Sequence, residues 1–493
     1  MFKRNNLRAL ALSATAAALV TGCVQDGSTS DESVGVAQDE IVSVAHTPVE
    51  RQSIGNCWLY AQATWVESMN LSAIQAGATT TGSTDTCSHN VCEEGEKLEA
   101  SCSSCATSIC EADPYCCNNE WDQICQRAVT EVCGATACED NAEPTEMAEP
   151  LDVSQSYWTY WHWFEQVTGY MYGSEISTGG NQWKSNAIVR DRGLMHEGDF
   201  VPEDSQSEMS NRQSSALNKI NAALKNGELS TQEARRNGEL VRQVFDDAWG
   251  LSEEVRAELT AAFGADGEMT LRSGGKVEGT HIVDPSTLPV RYTQRQGEET
   301  VVKETNLVEA IGDWEVVRYP SSASARRQFL RRVQMALHDQ QPVVITWDVD
   351  FNAMENGNNE RRGSFNKTTL DLAGKPGHQG GHMTVLGDYA AITQEFGLLE
   401  AGKTLDPNNA EDAAKLEAAL RDDTEILLLR TKNSWGGARP DRAFAPGFPG
   451  YHDLYMDYLD GPMKFCPDEE HPTNENCHGT TVPLSDVMIP KGY

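Results

Sequence analysis

Between residues 57 and 76 the chain has no proline or glycine, and apolar side chains recur at Leu59, Ala63, Val66, Met69 and Ile74. That spacing is close to a helical period. Gly55-Asn56 supplies a turn and a start signal, so a buried helix is predicted to open at Cys57. A second apolar helix is expected where six aromatics occupy the eight positions 157–164. They fall on all sides of a helix, which marks them as core packing, and His162 among them reads as a packed histidine. Helical spacing returns at Leu217, Ile220, Ala223 and Leu224, and again at Leu240, Val241, Val244, Phe245 and Leu251. Residues 205–264 are therefore predicted helical with exposed faces. Residues 265–304, rich in Gly, Glu and Thr, are expected to form turns and short strands. Residues 326–337 read as a basic amphipathic helix feeding a strand near Pro342. The apolar runs Met383-Thr384-Val385-Leu386 and Ile426-Leu427-Leu428-Leu429 predict buried strands. The polar, Ala/Glu/Leu-rich stretch 392–423 between them reads as a helical excursion over the surface.

The N-terminus follows a different logic. Lys3, Arg4 and Arg8 precede an apolar stretch, residues 9–20, too short to span a bilayer, and Val20-Thr21-Gly22-Cys23 reads as a bacterial lipobox. Residues 1–23 are expected to be a signal peptide cleaved before Cys23. Cys23 would then carry diacylglycerol and anchor an exported protein, with ordinary signal cleavage nearby as the alternative. Residues 24–40, polar and acidic, suit a flexible tether. With 74 acidic and 39 basic residues the net charge is −35, which argues against nucleic-acid binding. Most of that charge reads as solvated surface, with a hint of affinity for basic substrates.

Fourteen cysteines include Cys23 and Cys57; ten of the other twelve lie between Cys87 and Cys138, and the last two are Cys466 and Cys477. In an oxidising, exported setting that arithmetic predicts five disulfides in a small module, residues 87–138, and one closing a C-terminal loop. The adjacent Cys116 and Cys117 must tie different segments. Zinc held by Cys102 and Cys105, with His89 nearby, is the competing reading. The module reads as a recognition appendage or a shield for the cleft. No P-loop, dinucleotide fingerprint or calcium loop occurs, and no cofactor or metal is expected.

Candidate chemistry lies in Gln52-Ser53-Ile54-Gly55-Asn56-Cys57-Trp58, in Gly381-His382, and in Lys432-Asn433-Ser434-Trp435-Gly436. A thiol attacks a carbonyl only as thiolate, so its site must lower the thiol pKa. A helix N-terminus does this with unpaired N–H groups and a partial positive charge. A nearby imidazole does it by taking the proton. Cys57 at a helix start meets the first condition, although a plain core cysteine competes with that reading. His382, at the head of an apolar strand, would face a cleft. His378 lies in a glycine-rich loop with no strand to fix it. Asn433 follows another strand, and its amide could fix the imidazole, the part of a third triad member. Trp435 would cover that pair from water. Gln52, with the Cys57 N–H, would hold an oxyanion, each donor lowering the barrier by roughly 3–4 kcal/mol.

These elements, in this order, resemble the papain family of cysteine peptidases, and most closely its bleomycin hydrolase (aminopeptidase C) branch. Leu151-Asp152-Val153-Ser154-Gln155-Ser156-Tyr157 with its aromatic continuation, Gly179-Gly180-Asn181-Gln182-Trp183, and Gln341-Pro342-Val343-Val344 support the branch. The likeness covers roughly residues 49–76, 150–204, 327–350, 378–390 and 426–458. It implies an α+β, two-lobe fold, a helical lobe beside an antiparallel β lobe. The peptidase domain would comprise residues 41–76 and 150–493, interrupted by the module and by a helical and polar insertion, 205–304. It implies Cys57 as nucleophile, His382, Asn433 and Gln52 as its partners, and Trp58 and Trp435 as support. Substrate would pass along Gly179 and Gly180, where a missing Cβ permits close approach. The chain departs from the family in three ways. Gln52 precedes Cys57 by five positions rather than six, Ile54 replaces a disulfide cysteine, and a long stretch separates His382 from Asn433. About 33 residues separate Cys23 from Cys57, too few for a papain-type inhibitory proregion.

The expected function is hydrolysis of peptide or protein substrates through a thioester, by a bacterial enzyme anchored to a lipid bilayer at the outer membrane or cell surface. The branch favours N-terminal trimming; the module and surface location favour internal cleavage. Two other readings stand. One is a transpeptidase or amidase on the same chemistry. The other is a non-catalytic binder whose module takes a cell-surface or protein ligand.

Overall fold

The computed structural model describes residues 47–81, 91, 95–99, 104–132, 150–169, 171–297, 299–403, 405–439, 441–464, 466, 477 and 479–493. The expected signal peptide, Cys23 and the tether lie outside the described residues, as do His89, Cys87, Cys92, Cys102, Cys133 and Cys138. No helix among the described residues is long and apolar enough to cross a membrane.

Helix α1 spans Cys57–Thr81, opening at the predicted residue and running past the predicted end. Residues 57–71 are all buried, so even its polar side chains need internal partners. Gln62 donates to Asn186 Oδ1 at 3.1 Å and accepts from Ser185 Oγ at 2.8 Å; Asn70 donates to the Pro289 carbonyl at 2.9 Å. Helix α2, Gln155–Thr168, is capped by Ser154, whose hydroxyl accepts from the Tyr157 N–H at 3.1 Å. Its aromatics are buried as predicted and meet edge to face, Trp161 with Phe263 at 4.9 Å and Tyr160 with Trp161 at 5.2 Å. Helix α3, Gln182–Arg192, is capped by Asn181 and returns Arg192 to within 4.0 Å of the Trp161 ring.

Helices Asn211–Asn226, Gly238–Trp249 and Glu253–Phe263 fill the first part of the predicted insertion. Its second part departs from the short strands expected. Pro289–Gln296 and Glu299–Asn306 form an antiparallel hairpin of eight-residue strands. Val290, Tyr292 and Gln294 turn inward in alternation, a strand period that the polar composition obscured.

The main sheet has seven strands: β1 (Trp314–Arg318), β2 (Val343–Asp350), β3 (Gln379–Thr393), β4 (Gly397–Leu399), β5 (Glu425–Lys432), β6 (Tyr451–Tyr455) and β7 (Leu484–Pro490). Their order is β6-β5-β3-β2-β7-β1, with β4 added beside β3, and every neighbouring pair is antiparallel. The predicted excursion at 392–423 is only partly helical. Gly397, at φ 69°, turns the chain so that β4 pairs back onto β3, and the helix is confined to Ala410–Ala419. Helix Ala323–His338 precedes β2 as expected.

One apolar cluster gathers α1, α2, α3, the following helices and the hairpin; another gathers the sheet and helix Ala323–His338. The fold is α+β. The cysteine-rich segment has its own small core of Leu98, Ala106, Ile109, Trp121 and Val129. Disulfides join Cys110 to Cys117, Cys116 to Cys125, and Cys466 to Cys477. The adjacent cysteines do tie different segments, and the C-terminal pair closes its loop.

Candidate active site

Cys57 is the first residue of α1, and its thiol is buried. Asn56 directs both amide hydrogens into the core, to Thr159 Oγ1 and Gln213 Oε1 at 3.0 Å each. The Cys57 and Trp58 N–H groups are left to turn toward the sulfur, joined by the Met383 N–H from β3. Burial nevertheless dominates and pushes the Cys57 thiol up to about 11, while these three donors pull it down. The sequence reading required a lowered value, and the buried site sets the opposite.

His382 lies on β3, paired with Trp347 of β2, and Asn433 follows β5, which pairs with β3 on its other side. His382 Nε2 is 2.7 Å from Asn433 Oδ1. That same oxygen accepts from the Ser434 N–H at 2.7 Å, which identifies it as the oxygen of the amide. His382 Nε2 must therefore carry the proton, leaving Nδ1 as the base. Trp435 stacks on the imidazole at 4.8 Å and 16°. Burial holds His382 down to about 4, against the Asn433 hydrogen bond. Both shifts oppose charging either group alone. A proton passed from thiol to imidazole would create two opposite charges together, each offsetting part of the cost of burying the other.

Gln52 is fastened to the residues after Asn433. Its N–H donates to the Ser434 carbonyl at 2.8 Å, its Oε1 accepts from Ser434 Oγ at 2.6 Å, and Arg51 bridges Trp435. One amide hydrogen of Gln52 goes to the Ile54 carbonyl at 2.8 Å. The other is free to meet an oxyanion. Ser434 went unnoticed in the sequence although it lies inside the recognised motif.

Gln52, Cys57, His382 and Trp435 line one open cleft of about 370 Å³, shared with Phe351, His378, Arg439 and Arg442. His378 is exposed and stands beside Phe351; no asparagine orients it. Trp58 donates to the Thr178 carbonyl at 3.0 Å. Gly180 lies over the Trp58 ring, where a Cβ would come within 2.3 Å of its carbons, so only glycine fits. Gly179 has no comparable constraint, and neither glycine is among the residues lining the cleft. His162 is buried, meets Trp58 edge to face at 4.8 Å, and is held down to about 4 by burial. It is a neutral, packed side chain.

Behind the site lies a set of charges the sequence did not reveal. Glu50, Asp152 and Glu197 bring carboxylate oxygens within 4.8 Å of one another. Glu67 accepts from Thr47 at 2.6 Å and from the Val153 N–H at 2.9 Å. Lys432 is buried, with its ammonium on Thr47 and Thr64 at 3.0 and 3.2 Å. One lysine cannot neutralise so many carboxylates. Burial first, then mutual repulsion, raises Glu67 to about 7 and Glu197 to about 8. A raised folded-state pKa gives stability that is complete below the ordinary carboxylate range and lost as pH rises through the folded value. Glu197→Gln removes that penalty. Between the ordinary carboxylate value, about pH 4.5, and about pH 8 the wild-type melting point should fall relative to that of Glu197→Gln, and level off above that. Parallel melting curves for the two proteins would overturn this assignment.

A family model described as a domain of unknown function, DUF8252, matches residues 85–138. The match covers the cysteine-rich segment and none of the cleft residues. No curated protein matches the chain.

Proposed function

We propose that the chain is an exported, lipid-anchored bacterial cysteine peptidase of papain type, with a helical lobe carrying Cys57 and a β lobe carrying His382 and Asn433. One observation carries this reading. Cys57, at the open end of a buried helix, shares a cleft with an imidazole whose base nitrogen is set by Asn433.

In this reading Cys57 Sγ attacks the scissile carbonyl as its proton passes to His382 Nδ1. The carbonyl oxygen takes the negative charge and is met by Gln52 Nε2–H and the Cys57 N–H. The C–N bond breaks, the leaving amine takes the proton from His382, and a thioester remains on Cys57. Water then gives a proton to His382 and its hydroxyl to the acyl carbon. The acid departs, and the proton returns to sulfur.

Digestion of a peptide library by the membrane fraction, after detergent extraction, tests substrate class and anchoring together. Cleavage products appearing there support the proposal and report internal against terminal cuts. Activity confined to the soluble fraction would overturn the anchor, and amide products formed only with added amine would favour a transferase. Gln52→Ala should lower kcat by roughly 10²–10³-fold with little change in KM, since its free N–H meets only the oxyanion. An unchanged kcat would remove Gln52 from the site.

A further inference from the structure

The chain carries a net charge of −35, yet the cleft residues include Arg439, Arg442, His378 and His382 and no carboxylate. Arg442 lies 5.0 Å from the Trp435 ring and 4.7 Å from the Phe351 ring, measured to their centroids. Trp435 in turn stacks on His382, and the charge on Arg442 is felt at that imidazole. Arg439 and Arg51 both lie close enough to Arg442 to repel it. Among the described residues two carboxylates stand near them. Asp441 takes both Nε and Nη2 of Arg439 at 2.7 Å and Nη1 of Arg442. Glu208 receives the Gly437 N–H. Three guanidiniums against two carboxylates leave positive charge in surplus, and Nε of Arg442 is buried without a partner.

Position along the cleft follows from the chemistry of the proposed function, on which this inference rests. His382 gives its proton to the leaving amine, so the leaving half of the substrate crosses the His382–Trp435 wall. We infer that Arg442, supported by Arg439, selects substrates bearing a carboxylate within the first residues beyond the scissile bond. A guanidinium held over aromatic rings, as Arg442 is over Phe351 and Trp435, is restricted in its positions and weakly hydrated, which suits it to pair a carboxylate. The group is an acidic side chain or a chain-terminal carboxylate. This reverses the preference for basic substrates that total charge suggests.

The test uses paired peptides with Glu or Gln after the cleavage point, and pairs ending in a free acid or an amide. Wild type should favour the anionic member of at least one pair by roughly fivefold to tenfold in kcat/KM at low salt, less at high salt. Whichever pair responds names the source of the carboxylate. Arg442→Gln should erase the preference, and Arg442→Lys should keep part of it. Equal turnover by wild type, or a preference that survives Arg442→Gln, overturns the inference.

A second readout needs no peptide cleavage. The ratio of Cys57 alkylation rates with iodoacetate and iodoacetamide should fall in Arg442→Gln and recover in Arg442→Lys. Melting curves confirm that both variants fold. A falling ratio in a protein that cleaves nothing would keep the anion site and sink the peptidase. An unchanged ratio with neutral and acidic peptides cleaved alike would do the reverse.

Discussion

Cys57→Ser should abolish peptide turnover, lowering kcat/KM by roughly 10⁴-fold or more. The substitution replaces one buried atom by a smaller one at the first position of α1, so the melting point should stay close to wild type. The loss comes from chemistry. A hydroxyl holds its proton far more tightly than a thiol, and the buried site adds to that cost. The site also surrounds a larger atom, with the N–H groups of Cys57, Trp58 and Met383 gathered at the sulfur. The check combines turnover with labelling by an epoxide probe of cysteine peptidases. Reduced wild type should label at Cys57 and the serine variant should not. Wild-type protein that is folded, reduced and unlabelled would favour the non-catalytic binder and end the peptidase reading.

His382→Ala should cost about as much as loss of the nucleophile, again roughly 10⁴-fold, because residues acting as a unit fail together. His378→Ala, in the same cleft, should change kcat by less than about threefold. The contrast comes from what each ring touches. His382 is held by Asn433 at 2.7 Å and by Trp435 at 4.8 Å. His378 is exposed in its loop. Asn433→Ala should lie between, at roughly 10-fold to 10²-fold, since the imidazole keeps its stack on Trp435 but loses the bond that sets its tautomer. Steady-state kinetics on one peptide measures all three. Equal losses in the two histidine variants would refute the assignment of His382.

Much of this site could be read from local pattern. Cys57 could be placed at a helix start because the apolar spacing and Gly55-Asn56 agree. The aromatic run at 157–164 could be read as core because six aromatics crowd into eight positions. Asn433 and His382 could be found because each adjoins a short apolar run in the sequence. What escaped notice depends on partners distant in sequence. Ser434 holds Gln52 across 382 positions, and nothing local marks that bond. The crowding of Glu50, Asp152 and Glu197 arises only when three segments converge. Strand β7 enters between β2 and β1 from the C-terminus, an order no strand period encodes. Arg439 and Arg442 look like surface charge until Trp435 and Phe351 are seen beneath Arg442. The hairpin strands at 289–306 were underestimated because the inward alternation runs through polar residues.

The burial that pushes the Cys57 thiol up has a consequence for durability. Among the cysteines whose side chains are described it is the one free thiol, in a chain that also holds cystines. Peroxides and disulfides are attacked by the thiolate, and burial keeps that species scarce. The buried thiol is thus slow to react with either. A single chain can hold cross-links and a free thiol without one consuming the other.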